Sequence, residues 1–78
     1  MKVQVNGDSR EYGDNCTVAD VIADLGLTGK RIAVELNMEI LPFTEHATQT
    51  VKDGDRLEIV QAIGGGQDDY FTLAGTQY

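Results

Sequence analysis

Three consecutive glycines, Gly64, Gly65 and Gly66, are the residues whose type and spacing suggest a chemistry. Glycine has no side chain and is unusually free in conformation, so a run of glycines after a compact body predicts a flexible arm. One interpretation is a glycine terminus that the active site of another enzyme threads and activates. The other is a linker between two pieces of protein, which is what most glycine runs are.

Cys16 and His46 are the other side chains that could act as nucleophile or base. Cys16 directly precedes a predicted helix start, where the N–H groups and the helix dipole could lower a thiol pKa. It could equally be a small apolar residue that packs against Val21 across the helix start. His46 is the only histidine, and the sequence predicts a solvated loop residue there. We therefore predict no catalytic residue, and the protein is not expected to be an enzyme.

Metal binding is not expected either. No second histidine or cysteine lies at metal-ligand spacing from His46, which argues against zinc. Asp53 and Asp55 flank Gly54, but the remaining ligands of a calcium loop are missing, so this segment is predicted to be a turn. The sequence thus predicts neither a bound metal nor a bound cofactor.

Composition limits the possible functions. The 78 residues, 41% hydrophobic and 24% charged, are typical of one small globular domain that has little room for an enclosed catalytic pocket. A net charge of −7 argues against nucleic acid or an anionic membrane as partner and favours basic protein surfaces. One cysteine allows no internal disulfide, and Met1–Val5 lacks the apolar run of a signal peptide, so a cytoplasmic location is expected.

The first half of the chain predicts a hairpin and a helix. Apolar and polar residues alternate over Met1–Val5, and the turn dipeptide Asn6-Gly7 leads into a return strand over 9–12. Thr17 can cap a helix whose apolar stripe is spaced at i, i+3, i+4 and i+7, and Gly26 can end it. That stripe consists of Val18, Val21, Ile22 and Leu25.

The second half predicts three more strands, at Arg31–Leu36, Glu39–Leu41 and Arg56–Val60. The stretch 43–51 has no clean period and predicts a short helical turn or loop with Phe43 and Val51 inward. A hairpin, a crossing helix and later strands that join the same sheet predict an α+β fold, a mixed sheet packed on one helix. The ubiquitin-like β-grasp is the architecture that fits.

Four motifs give the chain a family likeness. They are Val-Gln-Val-Asn-Gly at 3–7, Thr-Val-Ala-Asp-Val-Ile at 17–22, Arg-Ile-Ala-Val-Glu-Leu-Asn at 31–37, and Val-Lys-Asp-Gly-Asp at 51–55 followed by a strand and the glycines. With them, the chain from Met1 to Gly66 resembles the thiamine-biosynthesis sulfur carrier protein family, which is ubiquitin-like and of the ThiS type. The runs at 33–37 and 63–66 favour the thiazole branch over the molybdopterin-type sulfur carriers.

The resemblance implies a consumable carrier that other enzymes modify. An adenylating, E1-like activating enzyme would use ATP to adenylate the carboxyl group of Gly66, with Gly64 and Gly65 in its slot. A sulfur donor, such as a cysteine desulfurase relay, would convert the adenylate to a thiocarboxylate for thiazole synthase. Contacts with the activating enzyme are predicted at the sheet face near the last strand, at Glu58, Val60, Ala62 and Ile63.

The chain departs from the family pattern after the glycines. We predict a domain over 1–63, a flexible arm over 64–66 and a disordered extension over 67–78. Since Gly66 is followed by Gln67, it has no free carboxyl to adenylate. The extension could be removed by a protease, could be the start of a thiazole synthase fused to the carrier, or could have no role. A ubiquitin-like interaction module that uses the glycines only as a linker is the competing function.

Overall fold

The computed structural model describes residues 1–62 and 70–72. It contains one α-helix, one short 3₁₀ helix and six strands within these ranges. In chain order they are β1 (Lys2–Val5), β2 (Asp8–Glu11), α1 (Val18–Asp24), β3 (Ile32–Leu36), β4 (Glu39–Leu41), the 3₁₀ helix (Phe43–Glu45), β5 (Arg56–Ala62) and β6 (Tyr70–Thr72). The elements of the first 60 residues agree with the predicted ones to within one or two residues.

The strands form one mixed sheet in the order β2-β1-β5-β3-β4, with β6 paired to β5 outside this sequence. β1 and β5 are parallel, and all the other pairs are antiparallel. The helix packs on one face of the sheet, so the predicted α+β fold is confirmed. β5 is the central strand, and it leads directly toward the glycines.

The ends of α1 follow from local chemistry. The Thr17 hydroxyl accepts a hydrogen bond from Asp20 N, and the Asp20 carboxylate accepts one from Thr17 N, which is a capping box. Gly26 has a φ of +73°, and Leu27 N donates to Ile22 O at 3.0 Å, as in a Schellman motif. Both predicted helix ends are therefore confirmed.

The core lies between α1 and the facing side of the sheet. It combines strand residues, three residues of the helix and two residues of the connecting segments. The members are Val3, Val5, Val18, Val21, Ile22, Leu27, Val34, Leu41, Val51, Leu57 and Ile59. Val51 is thus inward, as predicted.

Two predictions for the 3₁₀ segment were wrong. Phe43 is 82% exposed, whereas His46 is only 6% exposed. The tight turn that follows Pro42 explains both differences. The end of the turn, His46, packs against the helix, whereas its first residue, Phe43, lies in solvent. There the His46 carbonyl accepts Ala19 N at 2.8 Å, and His46 Nε2 lies 3.3 Å from the Leu41 carbonyl oxygen. The buried imidazole is therefore paired with the backbone.

Part of the predicted extension has structure. Tyr70–Thr72 form β6 inside the segment 67–78 for which we predicted disorder. Residues 63–69 and 73–78 lie outside the described residues, so the boundaries 1–63, 64–66 and 67–78 stay predictions. In the described part of the chain, no helix has the length and apolar character needed to cross a membrane.

Candidate functional site

The last strand before the glycines, β5, presents different residues on its two faces. Successive strand side chains alternate between faces, and Leu57 and Ile59 are fully buried in the core under the helix. Glu58 and Val60 therefore lie on the opposite face. Val60 is only 6% exposed although it is not part of the helix-side core, so this second face also has a covered portion.

Neighbouring strands add acidic and apolar residues to this face. Glu35 is directly opposite Glu58, and Ala33 is opposite Val60. Ile40 is opposite Glu35 from the other side and is 69% exposed. Residues paired in this way lie side by side on one face of a sheet. We call these five residues the outer face, in which two adjacent carboxylates lie beside apolar side chains.

The predicted partner contacts fall partly on this surface. Glu58 is half-buried and Val60 is buried, and the sheet brings the two together. Ala62 is the last residue of β5 and pairs with Tyr70. The remaining predicted site residues lie outside the described residues, so their roles stay predictions. These are Ile63, Gly64, Gly65 and Gly66.

Cys16 has the environment of a packing residue. It is half-buried against the core, and its Sγ lies 3.6 Å from the Thr17 carbonyl oxygen. Burial raises the pKa of the Cys16 thiol, and the nearby carboxylates of Asp20 and Asp24 raise it further. A raised pKa leaves less thiolate at neutral pH. The structure thus favours the apolar interpretation of Cys16 over the nucleophilic one.

The two aspartates around Gly54 are used by the turn itself. Asp53 Oδ1 accepts Lys2 N at 2.7 Å, and Asp55 Oδ2 accepts Lys52 N at 2.8 Å. Gly54 has a φ of +88°, which suits glycine at this position. Across the described residues, no group of three or more His, Cys, Asp or Glu side chains could hold a metal ion.

The sequence reasoning missed an apolar groove beside the helix. It has a volume of about 670 Å³ and lies between α1, the loop that follows it and the 3₁₀ helix. Ile22, Leu27, Ile32 and Phe43 contribute apolar surface to its lining. Pro42 was the available signal, because a proline can begin a tight turn that directs the next side chain outward.

The outer face has the composition of a binding surface. Its groups are apolar side chains and carboxylates, and within residues 1–61 neither Cys16 nor His46 hydrogen-bonds to the other. A surface of this kind can hold a partner that offers apolar and basic groups.

Comparison with known proteins points to one family. The model of the ThiS family matches residues 3–66. The sulfur carrier protein ThiS of Bacillus subtilis (strain 168) is 35% identical over 65 residues, which cover 82% of this chain and 98% of that protein. The crystal structure of the thiamine biosynthesis protein (ThiS) from Geobacter metallireducens matches with a TM-score of 0.70 at 33% identity, and the match covers 85% of this chain and 100% of that one.

A longer relative extends the similarity past the glycines. A thiazole synthase of Paramagnetospirillum magneticum (strain ATCC 700264 / AMB-1) is 44% identical over 80 residues. The match covers 100% of this chain but 25% of that protein. The chain therefore spans about a quarter of the length of the thiazole synthases that it matches.

Proposed function

Because this chain belongs to the ThiS family, we propose that it is a sulfur carrier protein of thiamine biosynthesis. In this role it is a protein cosubstrate rather than an enzyme, and it acts in the cytoplasm. An adenylating enzyme, a sulfur donor and thiazole synthase are its partners.

Gly66 is the residue that would carry the sulfur. Its carboxylate oxygen attacks the α-phosphorus of ATP, and pyrophosphate leaves. The persulfide of the sulfur donor then attacks the acyl carbon, and AMP leaves. A thiol attacks the donor sulfur of the resulting acyl disulfide, which forms a new disulfide and releases the thiocarboxylate that transfers its sulfur during thiazole assembly. ATP is thus a substrate of the activating enzyme and not a bound cofactor of the carrier.

The single observation that carries this proposal is the extent of the family match. It runs from residue 3 through Gly66 and therefore includes both the β-grasp body and all three glycines. A match to the body alone would have supported only the fold. The central position of β5 also supports this proposal, since the strand that leads to the glycines is held in the middle of the sheet.

The outer face supports a docking role for the body. Its two carboxylates and the net charge of −7 favour a basic partner surface, and Ile40 offers exposed apolar area beside them. We assign this face, with Glu58, Val60, Ala62 and Ile63, to the activating enzyme. Gly64 and Gly65 would then enter the narrow slot of that enzyme.

The residues after Gly66 favour a second, related form of this function. The similarity to the thiazole synthase of Paramagnetospirillum magneticum covers the whole chain, including residues 67–78. This observation favours a carrier joined to thiazole synthase sequence over an extension with no role. In either form, Gly66 gains a carboxyl only when the peptide bond to Gln67 is cut.

The test compares two versions of the protein, the 78-residue chain and a chain that ends at Gly66. Each is incubated with ATP, the cognate adenylating enzyme and a sulfur donor, and its intact mass is measured. We expect the shorter chain to gain the mass difference between sulfur and oxygen, and the uncut chain to stay unchanged. A shorter chain that folds but is never adenylated would contradict the proposal.

Gly65→Ala in the shorter chain is the control for the slot. A methyl group at this position should obstruct the slot and abolish adenylation, while every core residue of the described part of the chain keeps its side chain. Thermal unfolding should therefore be unchanged. Normal charging of this variant would contradict the role assigned to Gly64 and Gly65.

A further inference from the structure

Along one edge of β5, three different parts of the chain act in turn as hydrogen-bond partners of the backbone. In β5 the backbone groups of Arg56 point toward β3, since Asn37 N donates to Arg56 O at 2.8 Å. Backbone groups alternate along a strand, so those of Leu57, Ile59 and Gln61 point the other way, toward β1. The backbone that follows β1 is the partner of Leu57, because Asn6 N donates to Leu57 O at 2.9 Å.

The side chain of Asn6 is the hydrogen-bond partner of Ile59. Its Oδ1 accepts Ile59 N at 2.7 Å, and its Nδ2 donates to Ile59 O at 3.1 Å. β1 ends at Val5, and the chain turns away at Asn6 with a φ of +51°. The amide therefore supplies the donor and acceptor that the next residue of a longer β1 would have supplied.

Gln61 is the next residue whose backbone faces this edge, and its partner strand there is β6. β3 already lies on the other side of β5, where Ile32 is opposite Gln61. β6 must therefore approach from the side of β1, and its register places Phe71 opposite Gln61. By the alternation, Gln61 and Phe71 form the hydrogen-bonded pair, whereas Thr72 N points away from β5.

We propose that the backbone N–H and C=O of Gln61, here called the Gln61 edge, form a strand-acceptor site that β6 occupies as a removable, autoinhibitory strand. The occupant is the chain's own segment Tyr70–Thr72. Recognition is through the main chain, as in β-strand addition, and needs no particular side chain. β6 has only three residues, so it can leave without opening the core.

Pairing of β6 at the Gln61 edge works against extension of the glycine arm. Pairing of Ala62 with Tyr70 holds the two residues that flank 63–69 about 5 Å apart. An arm that reaches into a partner advances by about 3.3 Å per residue and carries these ends apart. While the bond between Gly66 and Gln67 is intact, β6 therefore has to leave the Gln61 edge before the glycines can extend into an enzyme that cuts this bond. This consequence rests on the proposed function, whereas the strand-acceptor site itself does not.

Amide hydrogen exchange in the 78-residue chain tests the site. Phe71→Pro removes the N–H that donates to Gln61, and Thr72→Pro is the matched control because Thr72 N points away from β5. We expect Phe71→Pro to accelerate exchange at the Gln61 amide by about tenfold and Thr72→Pro to leave it unchanged. The Val60 amide faces β3 and is the internal reference, which should keep its protection in both variants.

Two results would overturn the site. One is a Gln61 amide that exchanges equally fast in the parent chain and in Phe71→Pro. The other is equal acceleration in both proline variants, because this would reflect proline in general rather than the pairing.

Limited proteolysis tests the autoinhibitory role separately. A broad-specificity protease is added to the same three proteins, and cleavage between Ala62 and Tyr70 is followed by mass. Phe71→Pro should be cut several times faster than the parent and than Thr72→Pro. Equal rates would overturn the autoinhibitory role. Failure of adenylation in the chain that ends at Gly66 would instead contradict the proposed function and leave the exchange result standing.

Discussion

Asn6 has the most consequential side chain of the described residues for the path of β5. Its amide makes two hydrogen bonds to the backbone of Ile59, and Asn is also one of the few residues that tolerate the positive φ of this turn. The same residue thereby closes the β1–β2 hairpin and fixes the strand that leads to the glycines. Sequence reasoning recognised only the first of these roles, as a turn residue before Gly7.

Asn6→Gly separates these two roles. Glycine accepts the positive φ but has no amide, so the folded state of the variant loses only the bonds to Ile59. We expect the free energy of unfolding to fall by about 1–3 kcal/mol, because the Ile59 N–H and C=O lose their partners. Urea unfolding measures this. Asn6→Asp keeps an acceptor for Ile59 N but places a carboxylate oxygen against Ile59 O, so it should also lose stability. Unchanged stability in both variants would contradict this account.

The connection between β3 and β4 shows strain at the level of an element. Asn37 and Met38 both have positive φ, at +51° and +72°, as a tight two-residue hairpin turn requires. Asn37 is well suited, since its side chain also bonds Asp55 and Arg56 N. Met38 has no such compensation in its conformation, and its side chain is 83% exposed. Glycine is the residue that this turn type prefers there.

Met38→Gly should therefore stabilise the protein. Relief of the left-handed strain is worth about 1–2 kcal/mol, and the greater freedom of glycine in the unfolded chain offsets roughly half of it. We expect a net gain of about 0.5–1 kcal/mol in thermal or urea unfolding. Met38→Ala removes the same exposed side chain but keeps the positive φ, so it is the matched control. A gain in the alanine variant as large as that in the glycine variant would show that strain is not the cause.

For the molecule as a whole, the two faces of the sheet differ in role: one packs the core, and the other is the proposed docking surface. Its helix side holds the apolar core, while its outer face collects Glu35, Glu58 and Ile40 around β5. Like charges directly opposite each other cost some stability, and the net charge of −7 strengthens their field. The arrangement suits a body that presents an acidic surface to a basic partner close to the strand leading to Gly66.

Charge reversal on the outer face tests this arrangement. Glu58→Lys should weaken binding to the adenylating enzyme by about tenfold at low salt, and less at high salt. Urea unfolding of the same variant shows whether weaker binding is accompanied by a loss of stability. Glu45→Lys makes the same change in the exposed 3₁₀ helix and should bind normally. Equal weakening by both variants would indicate a general charge effect and remove the outer face as the docking surface.

Local patterns in the sequence by themselves determined most of the fold and the family. The stripe from Val18 to Leu25, the cap at Thr17 and the turn at Gly26 act within a few residues of one another, so they could be read without knowing the rest of the structure. Alternation in the strands likewise predicted which side chains form the core. The motif ending at Gly66 predicted the ThiS family, which the match over residues 3–66 confirms.

Only the tertiary structure decided which distant groups meet. The bonds from Asn6 to Ile59 join residues 53 positions apart, and the facing of Glu35 and Glu58 depends on strand register rather than on either strand alone. The exchange of inward and outward positions between Phe43 and His46 followed from how a short 3₁₀ turn packs against the helix. Local periodicity contains no information about such contacts, because their geometry exists only once the whole sheet has formed.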